Sequence, residues 1–126
     1  MKQYVVVIFS IILIILLNNW QVDYIKKTSK YLLTDIEDVK NYIRMEDYEK
    51  AKESIKRLKN TWISVKDVWY IFGSHDDVKY ITEHIESMKV YAEYEQKVDL
   101  INEYMLLETL ITHVNEKEKV TFSNVL

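Results

Sequence analysis

The sequence predicts an all-α protein: an N-terminal transmembrane anchor helix that continues into an antiparallel bundle of about four helices. Three observations carry this. Residues 4–17, YVVVIFSIILIILL, are apolar apart from Ser10. Proline is absent and glycine occurs once, at Gly73, so the turn chemistry of sandwiches, barrels and doubly wound sheets is missing. Behind the apolar run, hydrophobic residues recur at alternating steps of three and four, the period of one helix face. The chain divides accordingly into an anchor of the signal-anchor type, 1–22, and a helical bundle domain, 23–126. That is length enough for one small core.

The anchor comes first. Counting from Tyr4 through Val22 gives 19 residues, about 28 Å of helix against a hydrocarbon thickness of roughly 30 Å. The NNWQVD that follows Leu17 offers no small-x-small cleavage site. An uncleaved span is therefore expected, with a cleaved signal as the alternative, and the lipid bilayer is the partner of residues 4–22. Tyr4 and Trp20 fall near the two interfaces, where amphipathic rings are favoured. Lys2 on one side faces Lys26, Lys27 and Lys30 on the other, so charge alone does not set the orientation.

The helices follow in order. Val22, Ile25, Leu32, Ile36, Val39 and Ile43 form one stripe with Ser29 its single polar member, and nothing from Tyr4 to Ile43 breaks a helix. The anchor is expected to run into this segment as one rod. Asp47 is the expected N-cap of the next helix, whose stripe is Tyr48, Ala51, Ile55, Leu58, Trp62, Val65, Trp69 and Phe72. Gly73 then reads as a left-handed C-terminal cap, and Ser74 with Asp77 as a capping box. Asp76 and Asp77 would occupy the first turn of a helix striped by Val78, Ile81, Ile85, Met88 and Ala92. AEYEQK interrupts the pattern, so two helices are expected to meet near 93–97. The last is striped by Leu100, Tyr104, Leu107, Ile111 and Val114, is closed by NEKEKV, and leaves VTFSNVL to dock on the bundle.

Charge supports helices packed on one another. Residues 24–66 hold 11 Lys/Arg against 7 Asp/Glu, whereas 76–118 hold 4 Lys against 11 Asp/Glu. Lys50, Lys52, Lys56, Arg57 and Lys59 form a basic patch that no nucleic-acid motif accompanies, so no nucleic acid is expected as a partner. Cysteine is absent, which excludes disulfides, thiolate metal sites and a lipoprotein anchor.

Catalytic signatures are sparse. His75, His84 and His113 make no HExxH, ExxH or His-x-His pattern, and no GxSxG or glycine-rich loop is present. His84 lies seven residues from Asp77 on one helix, and His75 could join them in a three-ligand site. Capping for His75 and boundary positions for the other two explain them better. Trp62 and Trp69 could mark a groove, but large core anchors suit a heptad spacing better. Tyr24, Tyr31, Tyr80, Tyr91 and Tyr94 could form an aromatic contact surface or simply pack helix edges.

The tryptophan-bearing helix with Trp62 and Trp69, the histidine-acid-apolar motif His75, Asp77, Val78 and Ile81, and the ending Thr121, Phe122, Asn124 and Leu126 together resemble a known family. It is a family of small uncharacterised single-pass membrane proteins of spore-forming Firmicutes, carried as a domain of unknown function. Asp77 stands where glutamate is more readily expected, and Val125 stands in for isoleucine. The resemblance implies a multi-pass membrane protein as partner and a C-terminal domain outside the cytoplasm, in the cell membrane. It implies no activity.

The expected function is therefore a membrane-anchored helical interaction module, an accessory subunit without catalysis, cofactor or metal. The alternative is an extracytoplasmic, ligand-binding sensor-like domain that signals through a partner. The candidate functional or partner-contact positions are His75, Asp77, Trp62, Trp69 and Asn124, with Tyr4 and Trp20 as interface anchors.

Overall fold

The computed structural model describes the backbone of residues 1–125 and the side chains of residues 1–116. It contains four helices: α1, Lys2–Arg44; α2, Tyr48–Phe72; α3, His75–Glu93; and α4, Lys97–Val125. No strand occurs among the described residues. The break between α3 and α4 falls at residues 94–96, where the apolar pattern lapses.

Each helix packs on two neighbours, in the ring α1–α2–α3–α4–α1. Cross-helix bonds show the antiparallel run. Along α1, Gln21, Thr28 and Asp35 meet Phe72, Trp69 and Thr61 of α2. Rising numbers on one helix meet falling numbers on the other, as short connections require.

The core is the set of stripes. From α1 it takes Ile25, Leu32, Ile36, Val39 and Ile43, and from α2 Ala51, Ile55, Leu58, Trp62, Val65 and Trp69. Ile81, Ile85, Met88 and Ala92 enter from α3, and Leu100, Leu107, Ile111 and Val114 from α4. Each large side chain removed from water contributes about 1.5–3 kcal/mol, offset by the conformational entropy of ordering the chain.

α1 is one uninterrupted helix of 43 residues, about 65 Å long. Its second half lies in the core, whereas every side chain from Met1 to Leu17 is exposed. The reason is geometric. α2 descends only as far as Phe72, which meets Trp20, so the apolar run projects beyond the end of the bundle.

Three expectations about helix ends need correction. Gly73 is not left-handed: it has φ −110° and ψ −163°. Ser74 is the N-cap of α3, but its side chain makes no capping hydrogen bond, so no capping box with Asp77 forms. NEKEKV does not close the last helix, because α4 continues to Val125. Docking of VTFSNVL lies outside the described side chains.

The left-handed positions are elsewhere. Glu46 has φ 56° and Glu95 φ 53°. At the first, the Asp47 N–H donates to Tyr42 O at 2.9 Å and the Glu46 N–H to Ile43 O at 2.9 Å. At the second, Gln96 N–H donates to Tyr91 O at 2.8 Å and Glu95 N–H to Ala92 O at 3.2 Å. Both are Schellman closures with glutamate in the place usually held by glycine. Asp47 is the N-cap of α2, accepting from the Lys50 N–H at 3.2 Å.

Candidate functional site

Three regions bear on function: the apolar half of α1, the corner where it enters the bundle, and the outer faces along α2–α3 and α3–α4.

α1 is the one helix among the described residues long and apolar enough to cross a membrane. Tyr4 is exposed within that segment. Ser10, its single polar residue in 4–17, returns its hydroxyl proton to Val6 O at 2.8 Å, so its polarity is satisfied within the helix. Trp20 stands at the junction. It stacks on Tyr24 with ring centroids 5.3 Å apart and meets Phe72 edge-on at 5.8 Å. It remains 49% exposed, so it both closes the end of the bundle and faces outward.

The corner itself is the α2–α3 turn. Gln21 Nε2 donates to Phe72 O at 3.3 Å, which ties the turn to α1. The Gly73 N–H donates to Trp69 O at 2.7 Å, and the extended backbone after it leads straight into α3. His75 is the first residue of α3 and is exposed. Its ring lies flat on Tyr70, centroids 3.9 Å apart and 4° between planes. A ring stack, not a capping hydrogen bond, is what it contributes here. Asp76 and Asp77 occupy the first turn of α3, where negative charge meets the exposed amides of the helix start.

Trp62 and Trp69 are core residues, 2% and 1% exposed, in edge-to-face contact at 5.3 Å. Each indole N–H has a partner on a neighbouring helix. Trp62 donates to Thr82 Oγ1 of α3 and Trp69 to Thr28 Oγ1 of α1, both at 2.9 Å. Those threonines in turn donate to Val78 O and Tyr24 O. The sequence reading missed these partners; the signal available was a threonine beside the apolar stripe on each neighbouring helix. Neither tryptophan opens onto a groove. Asn124 lies outside the described side chains.

The three-ligand arrangement does not form. His84 meets Glu103 of α4, Nδ1 to Oε2 at 2.6 Å, rather than Asp77 or His75. No group of three or more His, Asp or Glu side chains able to hold a metal occurs among the described residues. The α3–α4 face beside this pair has a depression of about 330 Å³, bordered by Tyr80, His84, Leu106, Leu110 and His113.

The basic patch of α2 divides. Lys59 pairs with Glu86 of α3 at 2.7 Å, and Lys52 with Glu49 at 3.0 Å and Glu93 of α3 at 3.7 Å. The Lys59 ammonium, hydrogen-bonded to Glu86, holds that carboxyl below its ordinary range. Lys56 and Lys89 stand beside these pairs, and the Lys89 charge also acts on the Glu86 carboxylate. With Lys52, Lys59, Ile55, Asn60 and Glu93 they line an open α2–α3 groove of about 440 Å³. Across the other seam, Lys40 reaches Glu108 of α4 at 2.9 Å, and this bond, more than the Glu37 neighbour, raises the lysine above its ordinary pKa.

What these parts define is a small four-helix domain carried on an exposed apolar helix. More particularly, the chain belongs to the family described as "Domain of unknown function (DUF4363)", whose model matches residues 19–125. The match begins beside Trp20, where packing begins, and leaves the apolar run of 4–17 outside it. No curated protein and no solved structure matches the chain.

Proposed function

We propose that this chain is a membrane-anchored helical interaction module, single-pass in the cell membrane. In this reading it serves a multi-pass membrane protein as an accessory subunit, performs no catalysis, and holds its bundle outside the cytoplasm. One observation carries the reading: a single unbroken helix exposes every side chain as far as Leu17, apolar from Tyr4 on apart from Ser10, and buries a stripe in the core from Ile25 to Ile43. In water that exposed surface would be a severe aggregation liability, and in a bilayer it is at rest. The exposed Tyr80, Val90, Met105 and Leu106 of α3 and α4 offer apolar area for a partner outside the span.

Recovery of the full chain from native membranes in mild detergent tests the subunit role. A stoichiometric membrane-protein partner is expected, and recovery of the monomer alone, under conditions that keep known complexes intact, counts against it. Since the chain has no cysteine, Met45→Cys places a single thiol at the far end of the bundle. Its labelling by a membrane-impermeant maleimide in intact cells is expected, and labelling only after lysis would reverse the orientation.

The lysine-lined groove favours a second reading, a sensor for a small anion. Inorganic phosphate or citrate should then raise the melting temperature, and Lys56→Ala with Lys89→Ala should abolish the rise. No rise in the unsubstituted chain removes this reading.

A further inference from the structure

We propose that the α2–α3 corner is a second membrane contact, which seats the bundle in the headgroup layer beside its own anchor. The inference rests on the anchor reading and goes beyond it, because that reading by itself gives lipid contacts to residues 4–22 alone and none to α2 or α3.

Height is the first argument. If residues 4–22 span the hydrocarbon, as their length of about 28 Å allows, then Trp20 and Gln21 lie at its edge. Phe72 is fixed to both, by the ring contact at 5.8 Å and the hydrogen bond at 3.3 Å. The end of α2 therefore lies at the same depth as the end of the span. It cannot be raised without breaking those contacts, because α1 has no glycine or proline at which to bend.

Chemistry is the second. The residues that the corner turns outward are those that the interface favours. Ile71 is 71% exposed, the most exposed aliphatic side chain of α2, and Tyr70 beside it is half exposed with its ring braced against His75. With the exposed part of Trp20 they place apolar side chains at the same end of the bundle. Nothing in the core needs Ile71, so its exposure is otherwise only a cost. The partner is a lipid surface, and the contact is apolar rather than electrostatic, since the charged residues that follow the turn, Asp76 and Asp77, are acidic. Seating should thus be alike on zwitterionic and anionic bilayers.

The absence of cysteine permits a direct test on the full chain. Single substitutions Ser10→Cys, Ile71→Cys and Met45→Cys are labelled with a polarity-sensitive fluorophore and reconstituted in phosphatidylcholine vesicles, with and without phosphatidylglycerol. Quenching by lipids spin-labelled near the headgroup, and for position 10 by lipids spin-labelled along the acyl chain, is compared with quenching by aqueous iodide. At position 71 lipid quenching is expected to exceed that at position 45 by about fivefold or more, in both vesicle types, as for an interfacial residue. If position 10 is quenched by lipid while 71 behaves like 45, the seat is wrong and the anchor stands. If position 10 is not quenched, anchor and seat fall together. Protection of position 71 from both quenchers would mean that a protein surface, a second copy included, covers the corner, and it overturns the lipid assignment.

Discussion

Thr28 and Ser29 are neighbours on α1, both buried, and they behave oppositely. Thr28 accepts from the Trp69 indole at 2.9 Å and donates to Tyr24 O at 2.7 Å, so each of its polar functions is used. Thr28→Val keeps the volume and removes the acceptor, leaving a buried N–H unpaired. The expected loss of stability is about 1–3 kcal/mol, read by urea denaturation in detergent. Pairing it with Trp69→Phe, which removes the stranded donor, should cost less than the sum of the two single changes. The Ser29 hydroxyl has no hydrogen-bond partner in its buried position. Ser29→Ala should therefore leave stability unchanged or raise it by about 0.5–1 kcal/mol, helped by alanine's helix propensity. The periodicity that placed Ser29 on the apolar stripe was readable along the chain. Whether a hydroxyl there would find a partner was not, since that depends on which side chain faces it across the seam. The same limit hid the His84–Glu103 pair, whose members are 19 positions apart and meet only through the α3–α4 register.

Helix existence was legible because the stripes at Ile55–Phe72 and Ile81–Ala92 have few gaps, whereas the chemistry of the helix ends was not. A lone glycine after a stripe suggests a left-handed cap, yet only two residues separate α2 from α3, and the extended Gly73 carries the chain straight across. Its glycine identity is still needed, for another reason. A Cβ there would lie 2.7 Å from Trp69 O, the acceptor of its own N–H. Gly73→Ala should cost about 1–3 kcal/mol, the range for forcing atoms into occupied space. The left-handed strain falls instead on Glu46 and Glu95, residue types that give no turn signal. Glu46 also accepts from Lys97 at 3.0 Å, which ties the two far turns together. Glu95 makes no such bond, though its charge acts on Lys52, so Glu95→Gly reads chiefly the backbone effect. Relief of about 1–2 kcal/mol of left-handed strain, less glycine's added unfolded-state entropy of about 0.4–1 kcal/mol, predicts a small rise in melting temperature. A fall would mean that the charge interaction of Glu95 with Lys52 outweighs the relief of strain.

At the scale of the molecule, the unequal charge of the two halves becomes a pattern of seams. Basic α1 and α2 meet acidic α3 and α4 through Lys40–Glu108, Lys52–Glu93 and Lys59–Glu86, which join neighbours around the ring. The sequence showed the imbalance but not the pairs, for the charges of one helix select partners only once register is set by the core. These are partly exposed bridges, each worth about 0.2–1 kcal/mol, so they orient more than they hold. Their titration nevertheless gives a signature. The Lys59 bond lowers the Glu86 pKa in the folded chain, so its contribution is present above the ordinary glutamate range and lost as pH falls through the lower, folded value. The Glu108 bond raises Lys40, whose contribution is complete below the ordinary lysine pKa and lost as pH rises through its higher folded value. Lys59→Met keeps the stem over the α2–α3 seam and removes the ammonium. At neutral pH it should cost about 0.2–1 kcal/mol. That difference from the unsubstituted chain should shrink to nothing in acid, once Glu86 is protonated in the folded state. Urea titrations of both chains across the acid range check this, and a difference that persists undiminished at the acid limit would show that the Lys59–Glu86 pair is not its source.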